Sequence, residues 1–197
     1  MKKVGIIGGT GRIGQLLVKL LKQEEAELSL YVQSKEKAQR LGFGDISLIE
    51  GNVLDTDRLS KAIEEKDIVV AILSGDLLSY AKSIADALKR NPQAHIIWIT
   101  GMGIHHEVPG EVGKLLDDLC RQMPEYVDAA DIIADSGNPY TLIRAAHLTD
   151  GSNSKYYIQH EGEELHSNSV DRIAVARLIA DLINGTVDMI TSIGVTN

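Results

Sequence analysis

A glycine-rich turn near the start of the chain is the strongest chemical signal in the sequence. It reads Gly8-Gly9-Thr10-Gly11-Arg12-Ile13-Gly14 and directly follows the hydrophobic run 4–7. Glycines at positions 8, 11 and 14 allow a sharp turn, close approach of the backbone to a pyrophosphate, and close packing of a helix against a strand. Free amide groups at the start of that helix attract an anion. The turn therefore predicts a dinucleotide site formed by Gly8, Thr10, Gly11, Arg12, Ile13 and Gly14.

The end of the second hydrophobic run bears on which dinucleotide binds. NAD-preferring sites place an acid about 20 residues past the glycines, where it holds the ribose hydroxyls. This chain has Gln33, Ser34 and Lys35 there. This place has no carboxylate to repel a 2′-phosphate, and Ser34, Lys35 and Arg12 could bind one. The sequence therefore favours NADP as the cofactor and leaves NAD open. The alternative is that Lys35 and Lys37 only solvate the start of a helix.

The rest of the chain alternates short β-branched runs with amphipathic segments, as in a parallel sheet with crossover helices. The run 68–73 is apolar throughout and fits a central strand covered on both faces. Pro124 either kinks a helix or begins a new one, and Ser169 with Asp171 is expected to open the last helix. We predict one α/β domain over residues 1–197, a Rossmann-type doubly wound parallel sheet with helices on both faces. Its strands are expected near residues 3–7, 27–33, 46–50, 67–73, 94–100 and 139–144.

Composition and charge argue against several classes of function. Of the 197 residues 44% are hydrophobic, and the formal net charge is −8. That charge argues against a nucleic-acid surface, which needs clustered lysine and arginine. Cys120 is the only cysteine, so no intrachain disulfide is expected, and no apolar run approaches the roughly 20 residues of a membrane helix. We expect a cytoplasmic protein that binds a small molecule and contacts neither nucleic acid nor a membrane, with a homodimer left open.

Two later segments agree with the glycine turn. These are Gly51-Asn52-Val53-Leu54-Asp55 and Pro139-Tyr140-Thr141-Leu142-Ile143-Arg144. With the turn they resemble the atypical, NmrA-like branch of the short-chain dehydrogenase/reductase superfamily, in which the first segment flanks the adenine and the second lies beside the nicotinamide. The resemblance spans the chain and implies cofactor contacts from Asn52, Val53, Ser74, Gly75 and Arg144. Arg144 either closes over the cofactor or bridges loops, and Ala145 replaces the proline that is common after it.

The same resemblance identifies two candidate catalytic residues. Family members that transfer hydride in the usual manner use a tyrosine with a lysine four residues later, because the ammonium lowers the pKa of the tyrosine. The matching stretch begins at Tyr126, but Ala130 stands at the place of the lysine. Tyr126 therefore either donates a proton or only packs. Thr100 ends a strand where the superfamily has a serine or threonine, so its hydroxyl either polarises a carbonyl or simply suits a strand.

Three histidines have no role assigned by these motifs. His105-His106-Glu107 could suggest a metal, but adjacent residues seldom converge on one ion and no partner pair with ligand spacing is evident, so no metal site is expected. A substrate contact from this loop and a solvated loop both stay open. His147 follows a strand on the ligand side of the sheet and is a candidate for the nicotinamide or substrate pocket.

These features favour an NAD(P)H-dependent oxidoreductase that transfers hydride to a small acceptor which the sequence does not identify. A protein that senses NAD(P) without turnover is the alternative, and Ala130 in place of lysine favours it. A sugar-nucleotide epimerase or dehydratase fits less well, because 197 residues leave little chain for a substrate lobe.

Overall fold

The computed structural model describes residues 1–24 and 26–197, which form an α/β structure with a parallel sheet. The strands are β1 (Lys2–Ile7), β2 (Ala26–Val32), β3 (Ser47–Glu50), β4 (Ile68–Ala71), β5 (His95–Gly101), β6 (Tyr140–Ala145), β7 (His147–Thr149), β8 (Tyr157–Gln159), β9 (Ser169–Asp171) and β10 (Ser192–Thr196). The helices are α1 (Arg12–Leu21), α2 (Lys35–Arg40), α3 (Thr56–Ile63), α4 (Leu77–Leu88), α5 (Gly110–Gln122), α6 (Pro124–Ala134) and α7 (Arg172–Asn184).

The main sheet has eight strands in the order β3-β2-β1-β4-β5-β6-β10-β8. All neighbours in it are parallel except β8, which runs antiparallel to β10. The six predicted strands are present, and the Rossmann-type topology is confirmed. The four later strands were not predicted; β7 and β9 pair with each other outside the main sheet.

Helices cover both faces of the sheet, and β4 shows why. All four of its residues are buried. Ile68 and Val70 pack into the core formed with α1 and α7, whereas Val69 and Ala71 pack into the core formed with α3, α4 and α6. Because successive side chains of a strand point to opposite faces, a strand covered on both sides must be apolar throughout.

Residues that favour helix starts mark the beginnings of α3 and α6. Pro124 begins the new helix α6, and the Asp55 carboxylate caps α3 by accepting a hydrogen bond from the amide of Arg58 at 3.1 Å. The prediction for the last helix was wrong at its start. Ser169 lies in β9 and α7 begins at Arg172, because residues 169–171 pair with β7 instead. Among the described residues, no helix is both long and apolar enough to cross a membrane.

Candidate functional site

The sheet order reverses between β1 and β4, and a cleft lies at the carboxyl ends of the strands there. Ligands of open α/β sheets bind at such a switch point. The cleft has a volume of about 270 Å³. Its lining comes from the glycine turn, the end of β2, the segment after β3 and the segment after β4, and it includes Gly8, Thr10, Gly11, Ser34, Val53 and Ser74.

The three motif glycines have different roles. Gly8 has a φ of +86°, and a β-carbon on it would lie 1.9 Å from the carbonyl oxygen of Ile72. A β-carbon on Gly14 would lie 2.3 Å from the carbonyl oxygen of Gly8. Both positions therefore exclude a side chain through contacts within the protein. A β-carbon on Gly11 would approach only the Gly8 oxygen, at 3.2 Å, so Gly11 borders open space.

The start of α1 fits a pyrophosphate. Gly11 is its N-cap residue and supplies no side-chain hydrogen bond to the first turn. The first amides of a helix need partners from outside it, and an anion is a suitable one. Ile13 is only 6% exposed and belongs to the core, so its side chain does not reach the cleft.

Arg12 lies apart from the place expected for it. Its guanidinium pairs with Asp150 at 2.7 Å, and Asp150 also pairs with Arg172 at 2.7 Å. Arg12 is not among the residues that line the cleft. The expectation that it binds a 2′-phosphate does not fit this geometry.

The corner beyond β2 holds a carboxylate that the sequence pattern did not reveal. Glu50, at the end of β3, accepts a hydrogen bond from the backbone amide of Lys35 at 3.0 Å. Lys37 lines the cleft, and Lys35 does not. Ser34 caps α2, since its hydroxyl accepts from the amide of Lys37 at 3.2 Å. Arg58 and Glu50 line the adjoining cavity together. The corner thus combines two cations, Lys37 and Arg58, with one acid, Glu50, which the parallel pairing of β2 with β3 brings to this place.

A buried tyrosine helps to fix the segment after β3, which lines part of the cleft. The hydroxyl of Tyr31 donates to the carbonyl oxygen of Asn52 at 2.9 Å, and burial raises the pKa of Tyr31. The carbonyl oxygen of Val53 accepts from Ser83 at 2.6 Å. These bonds hold residues 51–53 in place, with Val53 on the cleft. Gly75, with a φ of +109°, turns the chain after β4 but does not line the cleft.

A second cavity, of about 420 Å³, lies at the carboxyl ends of β5 and β6 beneath α5. Its lining is mainly apolar and includes Met102, Ile104, Leu116, Leu119, Cys120, Tyr126 and His147. Burial, with the nearby carboxylates of Glu107 and Asp117, raises the pKa of Cys120, so its thiol stays protonated at neutral pH. The cavity can enclose a small apolar molecule next to the dinucleotide cleft.

The two predicted catalytic residues are neighbours, but only one faces this cavity. The hydroxyl of Thr100 donates to the backbone carbonyl of Tyr126 at 3.5 Å, and Thr100 is 5% exposed and not part of the cavity lining. It ties β5 to α6, so a role in polarising a carbonyl does not fit. Tyr126 is 36% exposed and lines the cavity. Ala130, at the position of the family's lysine, is fully buried and packs in the core.

Arg144 bridges elements of the fold. Its side chain has no solvent exposure and pairs with the carboxylate of Glu107, whose side chain is 2% exposed. Its Nε donates to the hydroxyl of Ser192 at 2.8 Å. Because its guanidinium is enclosed by protein, this geometry favours the alternative that Arg144 bridges loops over the one in which it contacts the cofactor.

The loop histidines lie outside the cavity lining. His106 Nδ1 is 2.7 Å from Asp117, and His105 lies 4.0 Å from Asp131 and 3.8 Å from Glu161. His147 is exposed and lines the cavity. Within residues 1–24 and 26–197, no group of three histidine, cysteine, aspartate or glutamate residues is arranged to hold a metal ion.

Comparison with known proteins agrees with the dinucleotide cleft. The sequence model of a family described as NAD(P)H-binding matches residues 8–186. A Rossmann-fold NAD(P)-binding family protein from Shigella flexneri is 30% identical, with a TM-score of 0.82 over 100% of this chain and 94% of that one. A short-chain dehydrogenase/reductase (wide type) from Veillonella parvula, solved in complex with NADP, shares the fold at 23% identity, with a TM-score of 0.83 and the same coverage of both chains.

Two curated reductases match part of the chain. NAD(P)H azoreductase from Xenophilus azovorans is 26% identical over 122 residues, 61% of this chain and 43% of the relative. The 4-hydroxy-tetrahydrodipicolinate reductase of Wolinella succinogenes is 31% identical over 125 residues, 63% of this chain and 43% of the relative. The chain therefore spans less than half the length of these relatives.

Proposed function

Because the chain belongs to the NAD(P)H-binding family, we propose that it is an NADPH-dependent oxidoreductase that reduces a small acceptor. One observation carries the proposal. The dinucleotide cleft and the apolar cavity lie along the same edge of the sheet, at the ends of the adjacent strands β4, β5 and β6. A cofactor in the cleft and an acceptor in the cavity would thus be neighbours.

When bound, NADPH supplies a hydride, so that NADPH, one proton and the oxidised acceptor give NADP⁺ and the acceptor reduced by two electrons. The residues of this chain hold and orient the two molecules. The amides at the start of α1 and the space beside Gly11 suit the pyrophosphate. The apolar lining of the cavity removes water from the part of the acceptor that it contacts. Tyr126, His147 and Asn168 line the cavity and can donate a hydrogen bond to an acceptor atom, and Tyr126 and His147 can also donate a proton.

The preference for NADPH follows from the corner beyond β2. Lys37 and Arg58 can bind a 2′-phosphate through charge-assisted hydrogen bonds. Glu50 opposes them, but the amide of Lys35 occupies one of its oxygens. Two cations against one partly engaged acid favour NADPH over NADH.

A cofactor sensor without turnover is the second candidate, and Ala130 favours it. A buried alanine leaves Tyr126 without the ammonium group that activates such a tyrosine. The apolar cavity favours the reductase, because a sensor needs no second small-molecule site beside the cleft.

The two candidates separate in one assay. NADPH oxidation is followed at 340 nm against a panel of quinones, flavins and aldehydes, and the binding of NADPH is measured by calorimetry. If the protein is a reductase, it should bind NADPH and oxidise it at a rate that depends on the acceptor. Binding without oxidation by any member of the panel would contradict the reductase and support the sensor.

A further inference from the structure

Most of the large apolar side chains that the structure leaves exposed surround the cavity under α5. Leu115 is 64% exposed, Leu119 48% and Met123 40%, and all three line this cavity. Within α5, which the structure describes in full, only Gly113 is buried. The helix thus turns an apolar face to an open space, and a surface of this kind marks a binding site for an apolar molecule.

The position of α5 is fixed by two close backbone approaches. A β-carbon on Gly113 would lie 1.8 Å from the carbonyl oxygen of Val108. A β-carbon on Gly103, whose φ is +94°, would lie 2.6 Å from Cβ of Leu116. Glycine at these two places lets the helix sit close to the loop after β5. The apolar roof of the cavity is therefore a built feature of the fold.

The lining of the cavity lacks carboxylates, lysines and arginines. Its residues, all in the part of the chain that the structure describes, include no aspartate, glutamate, lysine or arginine. The cations of α5, Lys114 and Arg121, each follow a lining residue by two positions, which places them on the opposite side of the helix. Arg121 is also paired with Asp118. An anionic group in the cavity would find no lysine or arginine there, and His147 is the one basic side chain among the described lining residues.

An acidic groove adjoins the cavity. The groove has a volume of about 250 Å³ and shares Val112, Leu165 and Asn168 with the cavity. Glu111 and Glu164 line this groove, and both are exposed. Their carboxylates repel an approaching anion, and the repulsion is strongest at low ionic strength.

The sulfur atoms and the aromatic ring in the lining suit an aromatic ligand. Met102, Cys120 and Met123 bring sulfur atoms to the cavity, and Tyr126 brings an aromatic ring. Both kinds of group make favourable contacts with aromatic ligands. We propose that the cavity binds a neutral aromatic molecule and rejects analogues that carry a carboxylate, sulfonate or phosphate. The chemical class of this ligand follows from the cavity lining, and only its role as the hydride acceptor rests on the proposed reductase.

The experiment compares two dyes that differ by one charge, 4-aminoazobenzene and 4′-aminoazobenzene-4-sulfonate. Their dissociation constants are measured by equilibrium dialysis with NADP⁺ present, and their reduction by NADPH is measured separately. We expect the neutral dye to bind at least about tenfold more tightly, because an unpaired anion in an apolar site loses its hydration. The double variant Glu111→Gln/Glu164→Gln should tighten sulfonate binding about two- to fivefold at low salt. A control, Glu27→Gln/Glu65→Gln, changes two acids at the amino ends of the strands and should leave both constants unchanged.

Several outcomes would overturn the inference. Equal affinities, tighter binding of the sulfonate, or no binding of either dye up to its solubility limit would each contradict it. A dimer that Leu115→Ser dissociates would show that this face binds a second copy of the chain instead. If the neutral dye binds selectively but is not reduced, the ligand class holds and the proposed reductase fails. If both dyes are reduced with equal KM, the reductase holds and the ligand class fails.

Discussion

The carboxylate of Glu107 and the guanidinium of Arg144 form an ion pair that is almost fully enclosed by protein. Glu107 also accepts from the amide of Gly103 at 2.8 Å and from the amide of His105 at 3.0 Å. The pair thus joins β6 to the loop that walls the apolar cavity, and Met102 and Ile104 of that loop are lining residues. We infer that the two charges hold the shape of the acceptor site without touching the acceptor.

Loss of one partner should destabilise the protein in a pH-dependent way. Burial alone would raise the pKa of Glu107, but the Gly103 amide and the Arg144 guanidinium together bring the pKa below its ordinary value. The carboxylate therefore stabilises the fold at neutral pH, and this contribution is lost as the pH falls through the lowered pKa. Glu107→Gln should reduce the free energy of unfolding by about 3–5 kcal/mol at pH 7. Urea titrations across pH 3–7 measure the difference from wild type, which should shrink toward the acid end.

A matched control separates this effect from loss of any surface charge. Glu65 is 80% exposed and pairs with Lys3, so Glu65→Gln should change the free energy of unfolding by less than about 1 kcal/mol. A Glu107→Gln effect as small as that, or one independent of pH, would show that the buried pair does not stabilise the loop.

Gly11→Val should abolish cofactor binding and preserve the fold. The new side chain would meet only one protein atom closely, but it would enter the space assigned to the pyrophosphate. Calorimetry with NADPH should show at least about a hundredfold weaker binding, with an unchanged circular dichroism spectrum. Gly44→Val is the control, since a β-carbon there meets only Gln39 at 3.8 Å. Wild-type affinity in Gly11→Val would place the phosphates elsewhere.

NADPH should raise the melting temperature more than an equal concentration of NADH, because a tighter ligand stabilises the folded state more. Lys37→Ala should reduce this difference, whereas Lys35→Ala should not, since only Lys37 lines the cleft. Glu50→Gln should widen it by removing the opposing charge. Each contact is worth about 1 kcal/mol, so the scans are run at low salt. Equal shifts for the two cofactors in the wild type would contradict the preference.

Tyr126→Phe should lower kcat by less than about tenfold, because no lysine activates the phenol. The measurement is steady-state turnover with an acceptor from the panel, with kcat and KM separated. A loss of about a thousandfold, typical of an essential general acid, would show that another cation replaces the missing lysine.

Local patterns predicted the part of the site that neighbouring residues build. The glycine turn and the first six strands follow from short runs of sequence, as the buried β4 shows. Contacts that depend on distant pairing could not be predicted in this way. Glu107 and Arg144 are 37 residues apart, and Glu50 reaches the ribose corner only through the pairing of β3 with β2. The short strands β7–β10 likewise depend on partners supplied by the rest of the fold.

The central claim is that a bound cofactor delivers hydride to an acceptor held beside it. The most direct test is stopped-flow oxidation of NADPH carrying deuterium on one or the other face of C4, with the protein in excess and neutral 4-aminoazobenzene as acceptor. Because the cleft fixes which face of the nicotinamide meets the cavity, we expect deuterium to slow oxidation on one face only. Equal slowing on both faces, or no oxidation above the protein-free rate while NADPH is bound, would contradict the account.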